Sequence, residues 1–153
     1  MNLDYPVVLY FDASCPLCRK ELTALKAHDR QDRLLLRDCS AVDFHDEAVE
    51  RAGLTRADLM RAIHARDQTD RWFVGIDVFV LAYRAGGIEW LAKLWAHPRL
   101  RPLWDRLYPW VARHRMALSR LGVNAAFDFL LRRLATRAKR RAQGCDNQHC
   151  SVR

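Results

Sequence analysis

A β-branched and aromatic run, Val7-Val8-Leu9-Tyr10-Phe11, is followed by a helix-length stretch and then by a second apolar run, Leu34-Leu35-Leu36. This order constrains the fold more than any other feature of the chain. The first run is bounded by Pro6 and by Asp12-Ala13-Ser14 and reads as a buried central strand. A helix is expected from about Cys15 to His28, with Asp12 and Ser14 as candidate caps, Pro16 in the first turn, and Leu22 and Leu25 facing inward. The second run ends at Arg37-Asp38-Cys39. Strand, helix and strand within about 35 residues make a βαβ unit, whose strands are parallel and joined by a right-handed crossover.

Beyond this unit the pattern changes. Residues 44–58 are polar, with one short helix and a turn at Gly53. Leu59 to Ala65 fits either a helix capped by Thr55 or a strand. Arg71 to Ile76 reads as a strand reached through the Asp67–Asp70 turn, and a β-hairpin is the reading favoured for the pair. Asp77 is expected to cap a helix from Val78 to Ala85 that stops at Gly86-Gly87. From Ile88 onward only helical periodicity is present: Trp90, Leu91, Leu94 and Trp95, then Leu103, Trp104, Leu107, Tyr108 and Val111. A last helix is capped by Asn124, with Phe127, Leu130, Leu131 and Leu134 on one face and arginines on the other. The expectation is an α/β core carrying an all-helical C-terminal extension. Its divisions are residues 1–97 for the core, 98–142 for a basic helical extension packed on it, and 143–153 for a flexible Cys-containing tail.

The 153 residues are half hydrophobic and 29% charged, the profile of one folded domain. No apolar run approaches the roughly 20 residues that cross a bilayer. The first residues lack the basic and apolar regions of a secretory signal, so the cytoplasm is expected. The net charge of +8 is uneven: residues 1–98 carry 13 Lys/Arg against 15 Asp/Glu, while residues 99–142 carry 12 against 2. The basic C-terminal helix therefore either meets an anionic partner (a membrane face, nucleic acid or a protein) or presents a solvated arginine face.

Cys15-Pro16-Leu17-Cys18, at the junction of strand and helix, is the strongest chemical signal. On a helical first turn this spacing brings two sulfurs within bridging reach. The free N–H groups and the positive dipole end stabilise a thiolate there. Cys15, expected to be the more exposed, is the candidate nucleophile, and Cys18, one turn in and facing the sheet, the candidate resolving thiol. The alternatives are half of a zinc site or two core thiols. Asp12 either accepts the Cys18 proton through a water or closes the turn.

Asp12-Ala13-Ser14-Cys15-Pro16-Leu17-Cys18, placed directly after an N-terminal strand, resembles the D-x-x-C-x-x-C signature of the DCC family (DUF393) of thiol-disulfide oxidoreductases. Trp72 to Phe79 is similar to that family's strand-Gly-x-Asp-Ala-Phe stretch, with Val78 in the Ala position. The helices ending in Tyr108 and Arg115 fit its C-terminal half, so the resemblance covers about residues 5–120. It implies a thioredoxin-like mixed sheet with flanking helices, and disulfide exchange. No bound cofactor is expected, because the dithiol itself carries the two electrons, and no metal is assigned. The implied partner is a disulfide-containing protein or a low-molecular-weight thiol. Thioredoxins and glutaredoxins set a cis-proline opposite their cysteines. Here no proline lies between Pro16 and Pro98, and the facing position falls near Leu59 or Met60.

Three further cysteines are candidate auxiliary thiols. Cys39 follows the second strand, as a third redox group or a buried packing residue. Cys145 and Cys150, beside His149, form a redox pair, add metal ligands, or are plain tail thiols.

Overall fold

The computed structural model describes residues 4–120. The chain divides into two units, residues 1–117 and 118–153. The first unit carries the sheet and its helices, and its last helix runs on to Arg120. Four strands, β1 (Val7–Phe11), β2 (Leu34–Asp38), β3 (His64–Arg66) and β4 (Trp72–Val74), form one sheet in the order β2-β1-β3-β4. β1 and β2 are parallel, in register from Val7 opposite Leu34 to Phe11 opposite Asp38. β3 runs antiparallel to both β1 and β4. This is the mixed α/β sheet of a thioredoxin-like fold.

Alternation along β1 makes two cores. Val7 and Leu9 point to one face, where they meet Leu22 and Leu25 of α1 (Pro16–His28), Val78 and Ala82 of α4 (Ile76–Ala85), and Ala92 of α5 (Glu89–Ala96). Tyr10 points to the other face, against Cys39, Val49 of α2 (Glu47–Arg51) and Leu59 of α3 (Arg56–Arg61). Asp29, just past α1, accepts from the N–H groups of Arg33 (2.9 Å) and Leu34 (2.8 Å), which fixes how the crossover enters β2.

The βαβ reading and its parallel pairing hold. The hairpin holds for β3 and β4, but Leu59 to Ala65 is not one strand. Thr55 makes a full capping box with Asp58, so residues up to Arg61 are helical and the strand starts only at His64. Both capping expectations are corrected. The N-cap of α1 is Cys15, which makes no side-chain capping hydrogen bond. The N-cap of α4 is Gly75, and Asp77 lies inside its first turn.

The last described element, α6 (Arg101–Arg120), buries no residue completely and is fastened by particular side chains. Gly75 has φ +66°, and a Cβ there would lie 3.2 Å from Cε1 of Tyr108, so only glycine suits both the backbone and the approach of that ring. Tyr108 accepts a hydrogen bond from the N–H of Ile63 at 2.8 Å. Arg101 binds both oxygens of Asp77, at 2.7 and 3.2 Å. The Phe79 ring lies against Trp95 at 5.3 Å and against Tyr108 at 5.7 Å, tying α4, α5 and α6 together. Asn124, the basic face beyond it, Cys145 and Cys150 lie outside the described residues. Among the described residues no helix is long and apolar enough to cross a membrane.

Candidate active site

The chain leaves β1 through a tight turn built on Asp12. Its carboxylate accepts from the backbone N–H of Ser14 at 3.0 Å and from the Ser14 hydroxyl, and its carbonyl accepts from the N–H of Cys15 at 3.2 Å. Asp38, at the end of β2, receives the N–H of Ala13 at 3.1 Å, so both parallel strands shape this turn. Cys15 follows in extended conformation, and Pro16 opens α1 where its missing N–H costs nothing. With no capping side chain present, the first N–H groups of α1 remain open to the Cys15 sulfur.

Arg115 closes the site from α6. One of its terminal nitrogens donates both to Asp12 and to the carbonyl of Met60, each at 2.7 Å. The guanidinium links the Met60 carbonyl to the Asp12 turn that precedes Cys15. The Asp12–Arg115 pair joins residues 103 positions apart, and its side chains are 6% and 17% exposed.

The two thiols differ sharply. The Cys18 thiol donates to the Cys15 sulfur, the largest influence on Cys15. Burial opposes ionisation, but the N–H groups of Cys18 and Leu17 and the charge of Arg115 add to the hydrogen bond, and the Cys15 pKa falls to about 6. The proton of Cys18 is held by that same bond and by burial, so its pKa is raised. Burial also resists ionisation of Asp12. The Ser14 hydroxyl and Arg115 outweigh it and hold the carboxyl below its ordinary range.

One expectation is reversed. Cys15 has no exposed surface, whereas Cys18 is half-buried. Its place at the helix start does not bring Cys15 to the surface.

Cys15, Cys18 and Asp12 are thus brought together. Cys39 packs with Tyr10, Val49 and Leu59, and burial beside Asp38 raises its pKa to about 12. Among the described residues no three His, Cys, Asp or Glu side chains gather as metal ligands. Two residues that act electrostatically on the cysteines are not among the candidates that the sequence suggests. Glu21 lies on α1, three positions past Cys18, and accepts from the Tyr83 hydroxyl at 2.8 Å. Its signal was available, since a charged residue sits beside Leu22 and Leu25 on a stripe that should be apolar. Arg115 had no such signal, because only the tertiary fold brings it to Asp12.

A cleft of about 610 Å³ adjoins the site, with Met60, Ala62, Val74, Tyr108, Arg113 and Arg115 among its lining residues. Met60 and Arg115 belong both to this cleft and to the enclosure of the dithiol.

A thioredoxin-like sheet with an activated cysteine at a helix start, hydrogen-bonded by a second cysteine one turn on, defines a dithiol protein of the disulfide-exchange class. The chain belongs to the DCC1-like thiol-disulfide oxidoreductase family, whose model matches residues 9–121. A protein of Arabidopsis thaliana described as uncharacterized and chloroplastic is 22% identical to it over 152 residues, covering 97% of this chain and 67% of that relative. No solved structure matches the chain.

Proposed function

We propose that the protein exchanges disulfides through Cys15 and Cys18. The observation that carries this reading is the thiolate-favouring environment of Cys15, with a pKa of about 6 beside a thiol that stays protonated. Near neutral pH the dithiol holds one nucleophile and one reserve proton. The Cys15 thiolate attacks one sulfur of a substrate disulfide RSSR. A Cys15–S–S–R bond forms, and the other half leaves as a thiolate that takes a proton from solvent. Cys18 then loses its proton and attacks the Cys15 sulfur, which expels the second half. The dithiol becomes a disulfide and the substrate becomes two thiols, with two electrons transferred. The reverse sequence oxidises a substrate dithiol.

Asp12 holds the turn in this scheme. A carboxylate engaged by Ser14 and Arg115 and kept below its ordinary range is a weak proton acceptor. Because Cys15 is covered, substrate reaches it when Arg115 swings aside, and the adjoining cleft receives the rest of the substrate. On this reading the protein works in the cytoplasm, where reducing pools reopen the dithiol after each turnover. Recovery of the chain in an organelle fraction would overturn that location.

The decisive test is Cys15→Ser assayed for reduction of a model protein disulfide and of glutathione disulfide. Loss of at least about a thousand-fold is expected, because the attacking atom is gone. Full turnover by the variant would overturn the assignment.

A further inference from the structure

Glu21 is a carboxylate that the exchange scheme leaves unused, on the inward stripe of α1 with Cys18, Leu22 and Leu25. Among the described residues it forms no ion pair, and its hydrogen bond comes from the Tyr83 hydroxyl of α4 at 2.8 Å. Residues three apart on a helix have β-carbons about 5–6 Å apart on the same face. Glu21 and Cys18 therefore share one face of α1, and the charge of Glu21 is among the influences that hold the proton on Cys18.

We propose that Glu21 accepts the proton of Cys18 in the second step of exchange. The proposal rests on the dithiol reading and gives that step its base. The groups facing the carboxyl are Cys15 at the N-cap of α1, Cys18 within α1, Tyr83 from α4 and Tyr108 from α6, with Arg115 acting on both cysteines. Burial raises the Glu21 pKa, the Tyr83 hydrogen bond lowers it, and the negative Cys15 thiolate raises it again. The same thiolate holds the proton on Cys18.

Forming the mixed disulfide removes that negative charge. Glu21 then ionises more readily and Cys18 gives up its proton more readily, at the moment the second attack is required. The proton passes from Cys18 Sγ to the Glu21 carboxylate. The Cys18–Cys15 bond forms, and the bond between Cys15 and the substrate sulfur breaks. Before the first attack the same coupling keeps Cys18 protonated.

The experiment separates the two attacks. In the full chain with Cys39, Cys145 and Cys150 replaced by serine, 5,5'-dithiobis(2-nitrobenzoate) releases one coloured thiolate when Cys15 attacks and a second when Cys18 resolves. For Glu21→Gln the first release is expected to stay within about two-fold and the second to slow by at least about ten-fold near neutral pH, the low end of what a positioned base supplies. In the parent chain the second rate follows the ionisation of a carboxyl. In the variant it rises with pH without that limb. Glu21→Asp restores part of the rate. Tyr83→Phe, which leaves the acid in place, moves the limb upward in pH because the donor that favours the carboxylate is gone. A normal first release with an unchanged second release and pH profile in Glu21→Gln would overturn the role of Glu21 alone. No first release from the parent chain would overturn the exchange reading, and this proposal with it.

Discussion

Cys15 and Cys39 follow the C-terminal ends of two neighbouring parallel strands, and neither has any exposed surface. The Cys15 pKa is nevertheless lowered to about 6, and that of Cys39 is raised to about 12. Burial raises the pKa of both, so burial does not separate them. The difference comes from what faces each sulfur. Cys15 meets a thiol donor, two helix N–H groups and Arg115. Cys39 meets the charges of Asp38, Asp12 and Asp46, and its own S–H points to the Arg37 carbonyl at 3.8 Å. In this sheet hydrogen-bond donors favour a cysteine's thiolate, and burial beside carboxylates opposes it.

Removing the strongest donor should nearly erase the contrast. Cys18→Ala is expected to raise the Cys15 pKa by more than about one unit, followed by thiolate absorbance against pH. It should also trap the mixed disulfide, visible by mass. A Cys15 pKa that stays near 6 in this variant would assign the effect to the helix N–H groups and Arg115.

The contrast also predicts opposite pH slopes. The depressed pKa of Cys15 stabilises the reduced fold fully above the ordinary thiol pKa, and this contribution is lost as pH falls toward about 6. The raised pKa values of Cys18 and Cys39 act the other way, because the unfolded thiols ionise first as pH rises. Denaturant midpoints of the reduced protein should therefore climb from about pH 6 to 9 relative to Cys15→Ser, then level or decline. Parallel curves for the two proteins would contradict the thiolate assignment.

Arg115→Gln should raise the Cys15 pKa by less than Cys18→Ala does, because its influence ranks below that of the hydrogen bonds. It also leaves Asp12 buried without its cation, at a cost of about 3 kcal/mol in chemical unfolding. The smallest effect is expected at Cys39. Cys39→Ala should cost about 1 kcal/mol of packing and leave exchange rates unchanged. A large loss of exchange in that variant would make Cys39 a third redox thiol.

The sequence was most legible where local pattern and final environment agree. The apolar runs of β1 and β2, the helix between them and the Cys15–Cys18 spacing are short-range signals, and tertiary packing reinforces them. Leu59 to Ala65 was less legible because two signals overlap there, the Thr55–Asp58 capping box and the alternation that continues into β3. Asp77 looked like a helix cap because aspartate suits that place. Gly75 takes the cap instead, and Asp77 is engaged by Arg101, 24 residues away. The burial of Cys15 was not legible at all, since it depends on tertiary packing and not on the local pattern around the helix start.

The long reach of Arg115 also gives the site a schedule. Asp12 and Cys15 emerge early in synthesis, and the guanidinium that completes their surroundings comes 103 residues after Asp12. At about 5–20 residues per second, the nascent dithiol spends roughly 5–20 s without it. A ribosome-arrested chain ending before α6 should label at Cys15 with a higher apparent pKa than the released protein. If both label alike, the schedule does not exist. Where it holds, the last of the influences that favour the Cys15 thiolate arrives only once α6 has been made.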